Sequence, residues 1–354
     1  MDKEEVEATV RGDRDTPVVH AADCSHEDLH NARFAGGIFN QVSFRDADLR
    51  HADCRHAQFF DCDFSNARLD HANLQDATIG RCRFPSASLA HSCIREVTFL
   101  ESSFEAAQLA SVDAGGTQFL NCQLDRADFS SLQEVEFDFL SCSLQSTSFR
   151  NSTLDRPTFL QCSLDGVELE GAHLEQVMFM EVDFRERDFR NCTMSMPQFH
   201  KCVLDGAVFR ELELSQIGLM ESSAERADFT GAKVDRANLI GVSMRGAVFA
   251  RADLRQALLI RSQLQECDFT GANLQQAQLA NAQCDLAIFS QADLTYADLS
   301  HARLVRADLR DTTLYQANLH EIEDADANWS GADRALARGT DPARSRGENF
   351  DPDS

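Results

Sequence analysis

The sequence predicts an all-β solenoid with four short sides to each coil, and three observations predict it. A large apolar residue recurs at every fifth position from Leu29 to Leu319, 59 places in unbroken register with Glu134 as the one polar occupant. A smaller residue, most often Ala, stands two places before it, as in Ala292-Asp293-Leu294 and Ala297-Asp298-Leu299. Residue types then repeat at twenty, four times five. Cys62, Cys82, Cys122, Cys142, Cys162 and Cys202 share one such series, as do Phe39, Phe59, Phe99, Phe119, Phe139, Phe159, Phe179 and Phe199.

A period of five is neither the 3.6 of an α-helix nor the 2.0 of a strand. It fits a short extended segment in which positions i−2 and i point inward and i−1 outward, with a turn at i+1 and i+2. Each pentad is then one side of a coil. Fifty-nine pentads make nearly 15 coils, and at ~4.8 Å per stacked strand the expected rod is roughly 70 Å long. From Phe129 to Phe289 a second Phe series runs on another side, as the first gives way to Leu219, Leu239 and Leu259, so bulk migrates between sides and keeps a narrow interior filled.

Local departures carry their own expectations. Leu132 and Phe137 occupy i−2 places, Glu134 occupies an i place, and Gly115-Gly116 precedes them by one coil. A carboxylate in a dry core costs several kcal/mol unless paired. Residues 131–138 are therefore expected to bulge or re-register, kinking the rod between two halves.

The 354 residues would ordinarily suggest two or three domains, but an internal repeat overrides that prior. Residues 1–18 and 330–354 are polar and read as flexible tails flanking a β-helix over 19–329. Net charge is −25, with nine acids and three bases in residues 1–28, nine and four in 321–354, and 40 and 26 between. Acidity spread along the chain favours solubility and disfavours direct contact with nucleic-acid phosphates or a membrane. The N-terminus MDKEEVEATV lacks the basic and apolar regions of a secretory signal, which points to a cytoplasmic protein, without excluding export by a machine that ignores signal peptides.

The A-[DN]-L-x-x runs, including Ala307-Asp308-Leu309, resemble the pentapeptide-repeat family over about 290 residues. The resemblance implies a right-handed quadrilateral β-helix with four pentads to a coil. Members of that family also include acidic rods that imitate duplex DNA and bind DNA gyrase or topoisomerase IV, conferring quinolone resistance.

Chemistry-bearing residues follow the repeat. The cysteines at i−2 are read as small buried residues, reduced and metal-free, since parallel stacked side chains do not face one another as a disulfide or converge as a zinc site requires. His51, His71 and His91 recur at one corner; a metal ladder is the alternative to solvated turn positions there, and no carboxylate series joins them. No Gly-rich phosphate loop, HExxH or GxSxG occurs, and a filled rod offers no concave site for convergent groups. No catalytic residue, metal or cofactor is expected.

The most informative feature lies outside the core. The residue after each centre on one side should face water, yet it is Phe60, Leu100, Leu120, Leu140, Leu160, Met180, Met220, Ile240 and Ile260, broken only by Gly80 and His200. An apolar stripe of this length marks either an interaction surface, for self-association or for a protein partner whose identity the sequence does not give, or a ladder of corner residues that fold over and pack on one another. The expected function is a non-enzymatic scaffold or adaptor in a bacterial assembly, including one associated with secretion. The alternative is a DNA mimic directed at DNA gyrase or topoisomerase IV; interspersed bases, the length of the rod and a tail without the family's apolar dimerisation module weigh against it.

Overall fold

The computed structural model describes residues 3–10 and 18–348. The chain divides into two compact units, Met1–Val182 and Asp183–Ser354. Both are coils of three-residue sides stacked in parallel at a step of twenty. In the first unit nine strands from Val18–His20 to Met178–Met180 form one face, pairing Phe39 with Phe59, Phe99 with Phe119 and Phe139 with Phe159. Thr153–Asp155 and His173–Glu175 pair on another side. In the second unit Gln198–His200 pairs with Gly218–Met220, and single bridges such as Asp253 to Asn273 and Gln278 to Asp298 continue the step.

Each pentad closes by the same device. The Ala57 N–H donates to the Cys54 carbonyl across the turn at 3.1 Å, while the Cys54 N–H donates to the Asn73 carbonyl of the next coil at 2.7 Å. The turn needs its second residue in the left-handed region, and Asp46, His51, Asn66, Leu286 and Tyr296 all sit at φ between 55° and 62°. Asn, Asp, His and Gly bear that conformation best, which explains the composition of the corners.

Every centre from Leu29 to Leu319 is buried except Glu134. Bulk is arranged in columns. Phe39 and Phe59 stack with ring centroids 4.8 Å apart, Phe139 and Phe159 at 5.1 Å. A neighbouring column of Phe44, Phe64, Phe84 and Phe104 stacks at 4.6 to 4.9 Å and meets the first edge to face, as Phe99 meets Phe104 at 88°. In the second unit Phe189 to Phe289 make one unbroken stack. Stacked equals at the coil spacing keep dispersion contacts without voids.

The small i−2 slots hold more than Ala. The thiols of Cys82, Cys122, Cys142 and Cys162 each donate to a carbonyl of the preceding coil at 3.2 to 3.4 Å, and the Ser222 hydroxyl does the same at 3.3 Å. Cysteine and serine are interchangeable there as small donors. Burial pushes the Cys54 and Cys267 thiols up to about 12, so both stay protonated and unreactive. Arg187 departs from the rule: it stands in an i−2 slot, half-buried, and desolvation lowers its pKa.

The Asp or Asn before each centre also has a fixed task. Its Oδ1 accepts the backbone N–H two residues on, as for Asp28 and His30 at 3.1 Å or Asp293 and Thr295 at 2.9 Å, holding the corner in shape. Where that second residue is Arg, the guanidinium also grips the carboxylate: Arg50 on Asp48, Arg55 on Asp53, Arg190 on Asp188, Arg255 on Asp253, Arg310 on Asp308.

The departure expected near 131–138 takes the form of a bulge of one side. Glu134 turns out to solvent at φ 49°, and Val135 moves into the core in its place, bridging Leu154. Swapping an apolar residue for the carboxylate removes the cost of burying a charge. The next side resumes at once, with Phe137 opposite Thr117.

The termini also differ from the flexible tails expected. Lys3–Val10 is a helix, α1, whose Val6 is buried; residues 1–2 and 11–17 of the predicted tail lie outside the described residues, as do 349–354. Beyond Leu319 the pentad path continues with polar centres. Asp324 and Arg334 pair at 2.9 Å, the Trp329 indole N–H donates to Asp324 at 3.1 Å, and the Arg334 guanidinium lies 4.4 Å over the indole. The Arg338 N–H still donates to the Ala317 carbonyl at 2.8 Å. A half-exposed last coil takes polar centres that bond one another, which closes the core without an apolar end. A second helix, Pro342–Glu348 (α2), follows.

Two outcomes test this packing. Thiol titration of denatured, unreduced protein should find all twelve cysteines free, and fewer than about ten would contradict the packing role. The Arg50 guanidinium holds the Asp48 carboxyl down at about 2, and Asp53, Asp188 and Asp308 are lowered for the same reason. Folded values below unfolded ones mean that this stabilisation is full above the ordinary carboxylate range and is lost as pH falls toward 2. The urea midpoint should therefore hold between pH 7 and 5 and drop below pH 4.

Candidate protein-interaction face

On the first unit, the outward positions of the eight paired strands from Ile38–Asn40 to Met178–Met180 form two columns. One, before each centre, runs Ile38, Gln58, Thr78, Thr98, Gln118, Asp138, Thr158 and Met178; the other, after it, runs Asn40, Phe60, Gly80, Leu100, Leu120, Leu140, Leu160 and Met180. Asp138 is the one charged residue among them.

The structure brings six of the nine stripe residues together here: Phe60, Leu100, Leu120, Leu140, Leu160 and Met180. They are half-buried rather than largely in water. Residues of successive coils pair Cα to Cα along the ladder, so each side chain shields the next. Gly80 is part of this packing and not a gap in it. A Cβ there would lie 3.0 Å from the Phe60 ring, which is folded down over the glycine. Met220, Ile240 and Ile260 belong to the second unit, where Met220 and Ile240 are 54% and 46% exposed. His200, the other interruption, has its Nε2 3.5 Å from Glu221.

The candidate metal ladder is a stack. The rings of His51 and His71 lie parallel with centroids 5.0 Å apart, and those of His71 and His91 at 5.2 Å, a face-to-face order that keeps their nitrogens from converging on one ion. A different group, unforeseen in the sequence, does converge: His301, His320 and Glu348. Glu348 Oε2 lies 3.0 Å from His320 Nε2 and 3.3 Å from His301 Nε2. The Asp341 N–H donates to His320 Nδ1 at 3.1 Å, which places the ring proton on Nε2, pointing at Glu348. A metal at Nε2 needs that lone pair and a proton on Nδ1, the reverse arrangement. The three residues fit a hydrogen-bonded latch that fixes α2 beside the last coils. His320 and Arg344 together hold the Glu348 carboxyl below its ordinary range.

Among the described residues no helix is long and apolar enough to cross a membrane. A recess borders the apolar face in the first unit, a notch of about 440 Å³ beside the bulge, between Arg95-Glu96 and Gln133–Glu136. It holds carboxylates and the Arg95–Asp113 pair at 2.7 Å, without a nucleophile beside a base.

Comparison with known proteins agrees with this architecture. The pentapeptide-repeat family model matches in eight copies over residues 28–66, 62–99, 159–195, 225–259, 247–283 and 287–322, more than half of the chain. No curated protein matches the sequence. Among solved structures, QnrB1, a plasmid-mediated fluoroquinolone resistance protein, is 16% identical, covering 58% of this chain and 89% of its own, with a TM-score of 0.34. HetL, involved in heterocyst differentiation regulation in the cyanobacterium Nostoc sp. strain PCC 7120, is 20% identical over 71% of this chain and 90% of its own, with a TM-score of 0.24. A thylakoid-lumen protein of Arabidopsis thaliana is 24% identical over 32% and 70%, with a TM-score of 0.22. On the extent of the family match, the unbroken five-residue phase and the four-sided coil, this chain belongs to the pentapeptide-repeat family.

Proposed function

We propose that the chain is a non-enzymatic scaffold of the cytoplasm that docks a protein partner through the apolar column Phe60, Leu100, Leu120, Leu140, Leu160 and Met180, with Met220, Ile240 and Ile260 as a further patch on the second unit. The observation that carries this reading is the near absence of charge on one face of a protein whose net charge is −25. On the other sides many outward positions hold Asp, Arg, Gln or Asn in corner bonds and ion pairs, among Ser and single apolar residues such as Ile288. A flat apolar column bounded by charge is what a docking surface requires. Partner classes consistent with it are a protein of a larger bacterial assembly, including a secretion-associated one, or a second copy of the chain.

The second reading is a DNA mimic acting on DNA gyrase or topoisomerase IV, and the overall acidity favours it. The disposition of the acids weighs against it. A phosphate mimic must present free carboxylates in series, whereas many of these are tied to a backbone N–H and an Arg of the same corner, as at Asp48, Asp188 and Asp308.

Replacing Leu120, Leu140 and Leu160 together by Ser separates the alternatives. Because the side chains are half-buried, the change should cost about 0.5–1 kcal/mol at each site, against ~3–5 kcal/mol for Phe139→Ala in the filled core. Partner capture or self-association by sedimentation should be lost in the Ser variant while its melt falls by less than that of Phe139→Ala and the transition stays cooperative. If it unfolds like Phe139→Ala, the column is structural. If it stays folded and an inhibition of gyrase supercoiling by the wild type survives in it, the mimic replaces the scaffold.

A further inference from the structure

The apolar face of the first unit is bounded on both long sides by corners in which acids outnumber bases. The corner that enters each strand carries Asp76, Glu96, Glu134, Glu136, Asp155 and Glu175 against three arginines, Arg55, Arg95 and Arg156, which are already paired with Asp53, Asp113 and Glu136. The turn that leaves it carries Asp61, Glu101 and Glu181 against Arg81, itself bonded to Asp61 at 2.8 Å. A strip with Asp138 as its one charged residue thus runs between two acidic rims.

Its size is that of a single helix. From Phe60 to Met180 are six coil steps, ~29 Å at the usual strand spacing, the length of about 20 residues of α-helix. One three-residue side is ~10 Å wide, the diameter of a helix with its side chains. A footprint of roughly 300 Å² is well under the ~800 Å² per partner of a stable protein interface. A second copy of this chain would need contacts beyond the strip, and there its own acidic rims would meet these.

Resting on the docking role above, we propose that the strip seats one basic amphipathic α-helix of a partner protein, about 20 residues long. Its apolar stripe lies along the Phe60 to Met180 column, and Lys or Arg on both flanks face the acidic rims. The notch beside the bulge is where a long cationic side chain enters the entering rim. Gly116 shapes it, because a Cβ at that position would lie 2.8 Å from the Glu96 carboxylate and displace it. The helix is recognised by its pattern of charge and apolar spacing, with the ladder supplying the groove floor.

Three labelled 21-residue synthetic helices test this against the full chain by fluorescence anisotropy at 50 and 300 mM salt. The first has Leu at positions a and d with Lys at e and g; the second has Glu at e and g; the third has Ser at a and d with Lys kept. The first should bind at least tenfold tighter than either control. The triple change Leu120→Ser, Leu140→Ser and Leu160→Ser should reduce its binding at least tenfold. Glu96→Gln, Glu134→Gln and Glu136→Gln together, all at exposed positions, should leave the melt unchanged while weakening binding severalfold and flattening its salt dependence. Equal binding of the Glu-flanked helix overturns the role of the rims. Equal binding of the Ser-faced helix reduces the effect to general attraction for an acidic protein and overturns the seat. If no helix binds while the triple Ser variant still loses self-association in sedimentation, the occupant is a second copy; the helix proposal falls and the docking role stands.

Discussion

A side of this coil is three residues of extended backbone, and the next coil lies one strand spacing away, so each inward side chain touches little except its own column and the two beside it. That constraint governs everything else in the molecule. A ring can be replaced by a ring or by Leu, but a void in one coil cannot be filled from a distant part of the chain. Phe therefore occurs in stacks, and where one stack ends, as after Phe104, another begins at Phe129 on a different side. The same constraint sets the i−2 slots, which accept Ala, Ser or Cys because each fits and the last two can donate to a carbonyl of the preceding coil.

The surface follows from the turns. Every corner needs a left-handed residue and an acceptor for the N–H that follows each centre, and Asp supplies the acceptor at many of them. Much of the acidity is thus a by-product of making corners, and Arg two places on offsets part of it. A face that escapes this pattern has been kept free of charge by its own residues. On this face of the first unit the outward positions are mostly Thr, Gln, Leu, Phe and Met over eight successive coils, and the acids other than Asp138 stand in the corners on either side. Apolar strip and acidic rims arise together from one repeat with different residues at its outward and corner positions.

Ends and interruptions are handled by substitution at fixed places rather than by added loops. At the bulge, Glu134 and Val135 exchange roles and the phase survives. After Leu319 the centres become Asp324, Trp329 and Arg334, which satisfy one another across a coil that has no successor. Alpha2 then returns against His301 and His320 through Glu348, so the polar end is tied down by hydrogen bonds and not by an apolar plug.

The sequence by itself determined the five-residue phase, the four sides, the buried centres, the reduced state expected of the i−2 cysteines and the composition of the apolar column. These are legible because a solenoid turns spatial neighbours into a fixed sequence offset, five along the coil and twenty between coils. Tertiary structure decided what depends on the course of a particular side chain. It set the shielding of Leu120 by its neighbours, the fold of Phe60 over Gly80 and the replacement of Glu134 by Val135 in the core. It also gathered His301, His320 and Glu348, and it carried the coil past Leu319 where the apolar signal stops. The acidic rims belong to this second class: their residues are scattered in sequence among paired and unpaired acids, and closure of the coil lines them up on either side of one face that carries a single charge, Asp138.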